Sequence, residues 1–327
     1  MGSTKVVFLT GLKEALIEEV VSYSPPDYEV VVLDKSSTEE QRINEVRDAD
    51  FLLCYGQDPS DEVIKSLEKC RLVQLLAAGY DRMNLDLLAE LEIPCANNGG
   101  ANSWAVADQA VLLMLAIYKQ LLASDNSTRE GRWGEPITGQ NTFEMADKKV
   151  GILGIGNIGR QVAKRVQGFD AKVQYFDLYP LDERTAEELN VTYVSLDELF
   201  STSDIISCHT PLTNDTKHIV NSNTLSLMKP TAILINTSRG PVVDEEALIS
   251  ALQSGVIAAA AGLDVFEKEP VSPDNPLLKM DNVVATPHMA GTTWDTWARR
   301  ANFGFENMER IRNGEAPQAV VKNFDSV

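Results

Sequence analysis

A glycine-rich stretch after a short apolar run constrains the fold of this chain more than any other feature. Residues 149–153 have the pattern of a buried strand, and Gly154, Gly156 and Gly159 follow in a G-x-G-x-x-G pattern. In such a pattern the first glycine permits a tight turn and the second lets a pyrophosphate approach the backbone, while the third lets the next helix pack on the strand. The sequence therefore predicts a strand, a turn and a helix that bind a dinucleotide.

The segments around the glycines support this interpretation. Apolar residues recur at helical spacing from Ile158 to Val166, and the N-terminus of that helix presents N–H groups to a phosphate. A second strand-like run, 172–176, ends in Asp177, 18 residues after Gly159. A carboxylate there can accept hydrogen bonds from the adenosine ribose and repels a 2′-phosphate, so NAD is predicted and NADP disfavoured. A tight turn without a ligand is the alternative, and the order of these elements counts against it.

The strong negative charge of the chain excludes several kinds of partner. The 327 residues carry 48 acidic and 29 basic side chains, a net charge of −19. This field repels nucleic acids and anionic membranes, so neither is expected as a partner.

The hydrophobic fraction of 44% is that of a globular protein. No apolar run approaches the ~20 residues that span a bilayer, and the N-terminus lacks a signal-peptide pattern, so we expect a cytoplasmic protein.

The four cysteines do not indicate a metal site or a disulfide framework. Cys54, Cys70, Cys95 and Cys208 include no C-x-x-C pair, and three of them lie in or beside strand-like runs. Small buried thiols are the ordinary explanation for cysteines in such positions.

Strand-like and helix-like segments alternate along most of the chain, which is typical of parallel sheets flanked by helices. The first part predicts strands at 5–9, 29–33, 50–54 and 72–76, and helices at 12–21, 38–47 and 60–68. A second alternation predicts strands near 149–153, 172–176, 192–194, 204–207, 231–236, 258–263 and 282–285, with helices between them. The fold class predicted is α/β, with two Rossmann-like, doubly wound parallel-sheet domains.

Two helices decide how these domains connect. A long apolar helix is predicted at about 102–122, before a polar, glycine-rich loop at 124–144, and a last helix at about 293–313. The last helix has no sheet partner left, so it most simply packs back onto the N-terminal layer. We therefore predict a dinucleotide domain, 101–289, inserted into a discontinuous substrate domain, 1–100 plus 290–327. Two crossings would create a hinged cleft beyond the carboxyl ends of the strands, where ligands bind in open α/β sheets.

Three polar side chains at predicted strand ends are candidates for acid–base chemistry and anion binding. His288 follows the last strand, where an imidazole can transfer a proton. Arg239 lies in a Ser-Arg-Gly-Pro turn and presents a planar donor fork, suited to a carboxylate and a neighbouring carbonyl oxygen. Glu269 or its neighbour Glu267 can hold a histidine in one tautomer, and sequence position alone does not choose between them.

The other two histidines have different positions. His209 also follows a strand and shares the strand-end argument, whereas His218 lies in a polar turn-and-helix stretch. A surface or capping role suits His218 best.

Four motifs, in this order, resemble those of the D-isomer-specific 2-hydroxyacid dehydrogenase family, and the resemblance covers nearly the full chain. They are Gly-Ile-Leu-Gly-Ile-Gly-Asn-Ile-Gly-Arg from Gly151, Ile-Asn-Thr-Ser-Arg-Gly-Pro-Val-Val-Asp from Ile235, Gly-Leu-Asp-Val-Phe-Glu-Lys-Glu-Pro from Gly262 and Thr-Pro-His-Met-Ala-Gly from Thr286. In the family the functional acid of the third motif precedes proline, which selects Glu269. The inserted dinucleotide domain is also the architecture of the family.

The resemblance implies a specific reaction. Hydride would pass between NAD and a small 2-keto or D-2-hydroxy acid, with His288 as acid or base and Glu269 supporting it. Arg239 would bind the substrate carboxylate and carbonyl. The resemblance also implies a homodimer formed through the dinucleotide domain and the long helix.

The resemblance further implies which residues bind the ligands. The substrate carboxylate would meet the backbone at Ala78, Gly79 and Tyr80, and Trp294 would wall the pocket, although a core position suits this tryptophan equally well. The cofactor-binding residues implied are Gly154, Gly156, Asn157, Ile158, Gly159, Asp177, His209, Thr210, Pro211, Thr237, Ser238, Arg239, Asp264 and His288. Asp264 resembles the acid that contacts the nicotinamide carboxamide. No metal is expected.

Departures from the family pattern bear on the substrate. Residues 55–58, Tyr-Gly-Gln-Asp, carry no base where members that act on phosphorylated acids often have arginine. This counts against a phosphoglycerate-type substrate and leaves glyoxylate and hydroxypyruvate as the leading expectations. Glu269 counts against formate dehydrogenases, which carry an amide there. Asp108-Gln109 replaces a common Glu-His pair, with little effect expected on the chemistry.

Other functions are compatible with the same fold. A dinucleotide-sensing binding protein, similar to the dehydrogenase-like corepressors, can keep the same triad, but this chain lacks long disordered flanks that recruit partners. A phosphite dehydrogenase is a second alternative, and adenosylhomocysteine hydrolase, with the same domain plan, matches these motifs poorly. Turnover of keto acids and of phosphite distinguishes the first two from the expected reaction.

Overall fold

The computed structural model describes residues 3–133, 139–255 and 259–321. The chain forms two compact units: an N-terminal unit, Met1–Asn102 with Thr292–Val327, and a central unit, Ser103–Gly291. Each boundary lies two residues beyond the one expected from the sequence. The assignment of a substrate role to one unit and a cofactor role to the other stays a prediction.

The N-terminal unit is built on one parallel sheet. Its elements before residue 102 are β1 (Thr4–Thr10), α1 (Glu14–Val21), β2 (Tyr28–Leu33), α2 (Glu39–Val46), β3 (Phe51–Tyr55), α3 (Asp61–Lys65), β4 (Val73–Leu75), α4 (Leu85–Glu90) and β5 (Cys95–Ala96). The strand order is β2-β1-β3-β4-β5, with every pair parallel. The first four strands lie where they were predicted, whereas α4 and the two-residue β5 are too short to show a hydrophobic period.

The central unit contains a seven-stranded parallel sheet. Its elements are α5 (Ser103–Tyr118), α6 (Leu121–Arg129), β6 (Lys149–Leu153), α7 (Asn157–Gln167), β7 (Lys172–Phe176), α8 (Glu183–Leu189), β8 (Thr192–Tyr193), α9 (Leu196–Thr202), β9 (Ile205–Cys208), α10 (Ser222–Ser226), β10 (Ile233–Asn236), α11 (Glu245–Ser254), β11 (Ala260–Leu263) and β12 (Val283–Ala285), with 3₁₀ turns at Gly240–Val242 and Pro276–Lys279. The order is β12-β11-β10-β9-β6-β7-β8. Two parallel-sheet α/β domains are confirmed; the predicted start of one strand at 258 lies outside the described residues.

The last helix, α12 (Trp294–Arg312), packs on the N-terminal sheet, as predicted. Trp297, Ala301 and Phe305 recur every four residues and share a buried cluster with Val6 and Phe8 of β1. The residues of β1 that alternate with these two belong to a second cluster, so both faces of the sheet are covered. The central sheet is covered on both faces in the same way.

The predicted long helix at 102–122 is wrong in its extent. It ends at Tyr118, Gln120 takes a left-handed conformation with φ +52°, and α6 continues at 61° into the predicted polar loop. The serine, aspartate, asparagine and threonine of α6 are weak helix formers, which hid it in the sequence. Residues 134–138 of that predicted loop lie outside the described part of the chain.

The apolar character of α5 reflects packing within its own unit. The helix packs on α7 and on strands β10 and β11, and most of its residues are buried. Among the described helices none is by itself long and apolar enough to cross a membrane; α5 and α6 together reach that length and composition, with the 61° bend between them. All four cysteines are buried free thiols.

Candidate active site

The carboxyl ends of the central strands bring most of the predicted site residues to one edge of the sheet. The last residues of β7, β6, β9, β10, β11 and β12 are paired with one another in that order across the sheet. The predicted residues that follow these strands directly are Gly154, Asp177, His209, Thr237, Ser238, Arg239, Asp264 and His288. This is the edge at which ligands bind in doubly wound sheets.

Packing explains two of the three glycines in the turn after β6. Gly154 has φ +95°, and a Cβ there would lie 2.7 Å from the Thr210 nitrogen and 2.8 Å from the His209 carbonyl carbon. A Cβ on Gly159 would collide with the carbonyl oxygen of Gly154. A Cβ on Gly156 would meet nothing within 4 Å. Internal packing therefore does not require Gly156, whereas the close approach of a ligand would.

Two further features, one in this turn and one beside it, fit the polar groups of a dinucleotide. The eleven-residue helix α7 starts at Asn157, so the N–H groups of its first turn, including Ile158, have no intrahelical acceptor. The hydroxyl oxygen of Thr210 is buried and has no hydrogen-bond partner within the described residues. Open space at Gly156, helix N–H groups and an unsatisfied hydroxyl are what a polar cofactor would fill.

Asp177 connects the glycine turn to the end of β7. Its Oδ2 accepts a hydrogen bond from the Ile155 N–H at 2.8 Å, and its Oδ1 accepts one from the Tyr179 N–H at 2.9 Å. The carboxylate thus fixes the turn, and its remaining lone pairs are available to ribose hydroxyls.

His209 is unsuited to proton transfer near neutral pH. It is buried, with Nε2 2.8 Å from the Ser207 hydroxyl and Nδ1 3.5 Å from the Thr237 hydroxyl. Burial lowers the pKa of His209 to about 3, so the ring is neutral. The strand-end argument that applied to both histidines therefore leaves His288 as the candidate acid.

Asn236, which the sequence analysis missed, organises the turn that carries Arg239. Its side chain is 1% exposed; Nδ2 donates to the Arg239 carbonyl at 2.9 Å, and Oδ1 accepts from the Ser238 N–H and hydroxyl. A Cβ on Gly240 would collide with the Phe266 carbonyl, so glycine lets the turns after β10 and β11 approach. The sequence signal that could have identified Asn236 is an asparagine at the end of an otherwise apolar strand.

His288 pairs with Glu269. His288 Nδ1 lies 2.7 Å from Glu269 Oε2, and Glu269 Oε1 accepts the Phe266 N–H at 3.1 Å. Burial raises the pKa of Glu269, but the hydrogen bonds from His288 and the Phe266 N–H, with the nearby charges of His288 and Arg239, outweigh burial and hold that pKa below its usual value. Glu267 pairs with His218 instead, at 2.6 Å.

Asp264 holds the turn on which His288 lies. The side chain is fully buried; Oδ1 accepts from the Thr286 hydroxyl at 2.5 Å and the Met289 N–H at 3.0 Å, and Oδ2 accepts from the Ala290 N–H at 2.8 Å. Its backbone carbonyl accepts the His288 N–H at 2.8 Å. The structure therefore gives Asp264 an anchoring contact with residues 286–290, in addition to the cofactor contact implied by the resemblance.

Gln109 reaches the same turn from α5. Its Nε2 donates to the Thr286 hydroxyl at 3.2 Å, while the adjacent Asp108 pairs with Arg165 at 2.5 Å. Gln109 thus lies behind the histidine turn, a position that the sequence analysis did not foresee.

Pro211 follows β9 in the central unit, whereas the predicted substrate-binding residues other than Arg239 and His288 belong to the N-terminal unit. Ala78, Gly79 and Tyr80 follow β4 in a partly buried loop. Trp294 is the first residue of α12 and is 61% exposed, so the core interpretation of this tryptophan is wrong. The core position belongs to Trp297, which is 1% exposed.

Several known proteins are similar to this chain in sequence and fold. Residues 111–290 match the family model described as D-isomer specific 2-hydroxyacid dehydrogenase, NAD binding domain. The chain is 38% identical over 288 residues to a glyoxylate reductase of Thermofilum pendens, spanning 86% of this chain and 84% of that protein. It is 36% identical over 302 residues to a D-3-phosphoglycerate dehydrogenase of Archaeoglobus fulgidus, spanning 92% and 56%. A D-lactate dehydrogenase structure from Treponema pallidum matches with a TM-score of 0.81 and 28% identity, over 97% and 99% of the two chains.

The family model covers the whole sheet edge described above, and the full-length relatives extend the match to the N-terminal unit. Two parallel-sheet domains, a glycine turn with open space at Gly156 and a histidine–glutamate pair at the same edge agree with that match. The chain therefore belongs to the D-isomer-specific 2-hydroxyacid dehydrogenases, enzymes that use a nicotinamide dinucleotide.

Proposed function

We propose that the protein reduces a small, unphosphorylated 2-keto acid to its D-2-hydroxy acid with NADH, and that glyoxylate and hydroxypyruvate are its best substrates. The observation that carries the proposal is the 2.7 Å contact between His288 and Glu269 at the sheet edge that also carries Arg239 and the glycine turn. The similarity to the glyoxylate reductase of Thermofilum pendens supports a small 2-keto acid as the substrate.

In this proposal His288 donates the proton from Nε2. The lowered pKa of Glu269 keeps its carboxylate ionised at neutral pH, and an ionised carboxylate can only accept hydrogen bonds. His288 Nδ1 must therefore be the donor in the 2.7 Å contact, which leaves Nε2 to carry the mobile proton. In reduction Nε2 protonates the keto oxygen, and in oxidation it removes the hydroxyl proton.

Arg239 is proposed to bind the substrate. Its guanidinium has a planar fork of donors that matches a carboxylate and the adjacent carbonyl oxygen, so it would orient C2 and stabilise negative charge on the oxygen. One of its terminal nitrogens already donates to the Ser238 carbonyl at 2.8 Å, which limits the rotation of the side chain. An Arg239→Lys variant keeps the charge without the fork and tests this role through the KM of the keto acid.

The cofactor is proposed to lie along the sheet edge. The first turn of α7 and the space at Gly156 would hold its phosphates, Asp177 the adenosine ribose, and Thr210, Thr237 and Ser238 its nicotinamide half. The bound nicotinamide supplies the hydride. We expect NADH rather than NADPH, because the Asp177 carboxylate would repel a 2′-phosphate. An Asp177→Ser variant should narrow the difference between the two cofactors.

The loop at 55–58 supports a substrate without a phosphate group. Its sequence, Tyr-Gly-Gln-Asp, contains no base, and Gln57 is already engaged by Arg42 and by the Thr10 carbonyl. A phosphorylated acid would bring two additional negative charges to a loop that carries an aspartate of its own, Asp58.

A substrate panel tests the proposal directly. Purified protein is assayed for NADH and NADPH oxidation with glyoxylate, hydroxypyruvate, pyruvate, oxaloacetate, 2-ketogluconate and phosphohydroxypyruvate, and for NAD reduction with phosphite. We expect turnover of glyoxylate or hydroxypyruvate with NADH. Turnover of phosphite alone would replace the proposed reaction, and NADH binding without turnover of any acid would favour a sensor.

A homodimer is proposed from the surface of α5 and α6. Leu112, Leu121 and Leu122 are each about half exposed and lie on these two consecutive helices. Large apolar side chains exposed near one another are typical of protein interfaces. Light scattering on the wild-type protein and on a Leu112→Glu variant would detect the dimer and its loss.

A further inference from the structure

The carbonyl oxygens of the loop after β4 are held by hydrogen bonds from side-chain and backbone donors. The Leu76 carbonyl accepts from an Arg300 terminal nitrogen at 3.1 Å and from Asn98 Nδ2 at 3.4 Å. The Ala77 carbonyl accepts the Asn98 N–H at 3.1 Å, and the Ala78 carbonyl accepts Asn97 Nδ2 at 3.0 Å. Three successive peptide groups are therefore oriented by donors from α12 and from the segment after β5.

The orientation of the carbonyls fixes the orientation of the N–H groups. In a trans peptide the C=O of one residue and the N–H of the next point in opposite directions. The N–H groups of Ala77, Ala78 and Gly79 thus each point away from the donor that holds the preceding carbonyl oxygen. Within the described part of the chain none of these three N–H groups donates a hydrogen bond. Successive N–H groups without an acceptor in the protein are the kind of donors that bind an anion such as a carboxylate.

Arg300 is held rigidly on the carbonyl side of this loop. Its side chain is 2% exposed, and its guanidinium carbon lies 5.2 Å from the centre of the Tyr55 ring and 5.0 Å from that of Trp297. The two rings meet edge to face at 4.8 Å. Burial lowers the pKa of Arg300, while Tyr55 raises it, and at neutral pH the guanidinium remains charged. Its position next to Leu76 places a fixed positive charge behind the loop.

We infer that Arg300, Asn97 and Asn98 are positioning residues that orient the peptide groups of residues 76–79 toward the carboxylate of the 2-keto acid. Arg300 adds the attraction of a buried cation and acts through the loop, without touching the reacting atoms. The inference rests on the proposed function, because that function supplies the carboxylate. It extends the proposed function by assigning substrate affinity to three side chains that the family motifs did not identify.

The test compares substrate affinity with turnover in matched variants. Arg300→Met removes the donor and the charge, Arg300→Lys keeps the charge and one donor, and Asn97→Ala releases the Ala78 carbonyl. Arg310→Met is the control, because Arg310 lies on the same helix and pairs with Glu315 at 3.3 Å. For each variant we measure KM and kcat for the preferred keto acid, the affinity for NADH, and the affinity of the NADH complex for oxamate, an unreactive carboxylate.

The contacts to the carboxylate are present in both the ground state and the transition state, so the loss of these contacts raises KM and changes kcat little. We expect Arg300→Met and Asn97→Ala to raise KM and the oxamate dissociation constant together, by about tenfold or more, with a smaller change in kcat. Arg300→Lys should recover part of the loss, and NADH affinity should not change. Unchanged KM and oxamate binding in folded Asn97→Ala and Arg300→Lys would overturn the inference, as would a loss confined to kcat.

The two proposals fail in different ways. A wild-type protein that reduces no keto acid refutes the proposed reaction, and the oxamate titration still reports whether the loop binds a carboxylate. If Arg300→Met does not fold, Asn97→Ala decides, since its partly exposed side chain contacts the same loop.

Discussion

The central unit contains two histidine–glutamate pairs that are almost alike in local geometry. His288 and Glu269 approach to 2.7 Å, and His218 and Glu267 approach to 2.6 Å. Both histidines have a left-handed backbone, with φ of +51° and +52°, and their side chains are 46% and 39% exposed. The distance between the ring and the carboxylate therefore does not distinguish an acid–base pair from a surface pair.

The surroundings of the two pairs differ. His288 contacts its glutamate through Nδ1, whereas His218 does so through Nε2. The turn of His288 is anchored by the fully buried Asp264, and the charge of Arg239 acts on Glu269. Glu267 and Glu245 instead form two hydrogen bonds, in which the carboxylate of each accepts the backbone N–H of the other. The comparison teaches that a catalytic candidate is recognised by which ring nitrogen meets the carboxylate and by the charged groups that surround the pair.

The largest expected difference between the pairs follows from replacing each histidine. His288→Asn should lower kcat for keto-acid reduction by about 10³-fold, because the proton donor is lost. His218→Asn should leave kcat near the wild-type value. Steady-state kinetics measure both, and fluorescence titration should show NADH binding unchanged in each variant. Equal losses of activity in the two variants would end the distinction between the pairs.

The carboxylates give the second test. Glu269→Gln should lower kcat by about 10- to 100-fold, because an amide stabilises the protonated imidazole less well. Glu267→Gln should leave kcat near the wild-type value, and steady-state kinetics of both variants make the comparison.

The direction of the acid dependence follows from the lowered pKa of Glu269. The carboxylate is ionised at neutral pH and loses its charge only as the pH falls through that lowered pKa. The difference between wild type and Glu269→Gln should therefore persist through neutral pH and disappear in acid, where both side chains are neutral. A difference that grew on acidification would contradict this assignment.

The sequence predicted the strand ends well and the contacts behind them poorly. Apolar runs and the glycine pattern located the strands, and the rule that ligands bind at carboxyl ends then predicted Arg239, His288 and either Glu267 or Glu269 at one edge. The resemblance to the family selected Glu269.

Asn236 contacts Ser238 and Arg239 within its own turn, and its place at the end of an apolar strand was a signal that sequence reasoning did not use. The anchoring contacts of Asp264 and Gln109 instead join residues that are distant along the chain. One sequence carries no signal for such partners, so they became visible only in the folded chain.

Asp264 provides a third test, of stability as well as rate. Asp264→Asn replaces a buried acceptor of three hydrogen bonds with a group that carries donors, which leaves an N–H of Met289 or Ala290 unsatisfied. We expect a loss of about 1–3 kcal/mol in the free energy of unfolding, measured by urea denaturation, together with a lower kcat. Glu245→Gln, at the partly exposed carboxylate beside the other pair, should destabilise less.

The smallest expected effect distinguishes the two neighbours on α5. Gln109→Ala removes the 3.2 Å hydrogen bond to the Thr286 hydroxyl, behind the turn that carries His288. The hydroxyl keeps its bond to Asp264, so the loss should be on the order of 1 kcal/mol, equivalent to at most about fivefold in kcat. Asp108→Ala breaks only an ion pair in which the aspartate is 69% exposed, and kcat should not change. If Gln109→Ala were as active as Asp108→Ala, the contact from α5 would not contribute to holding the histidine, and the anchoring of the turn would rest on Asp264 alone.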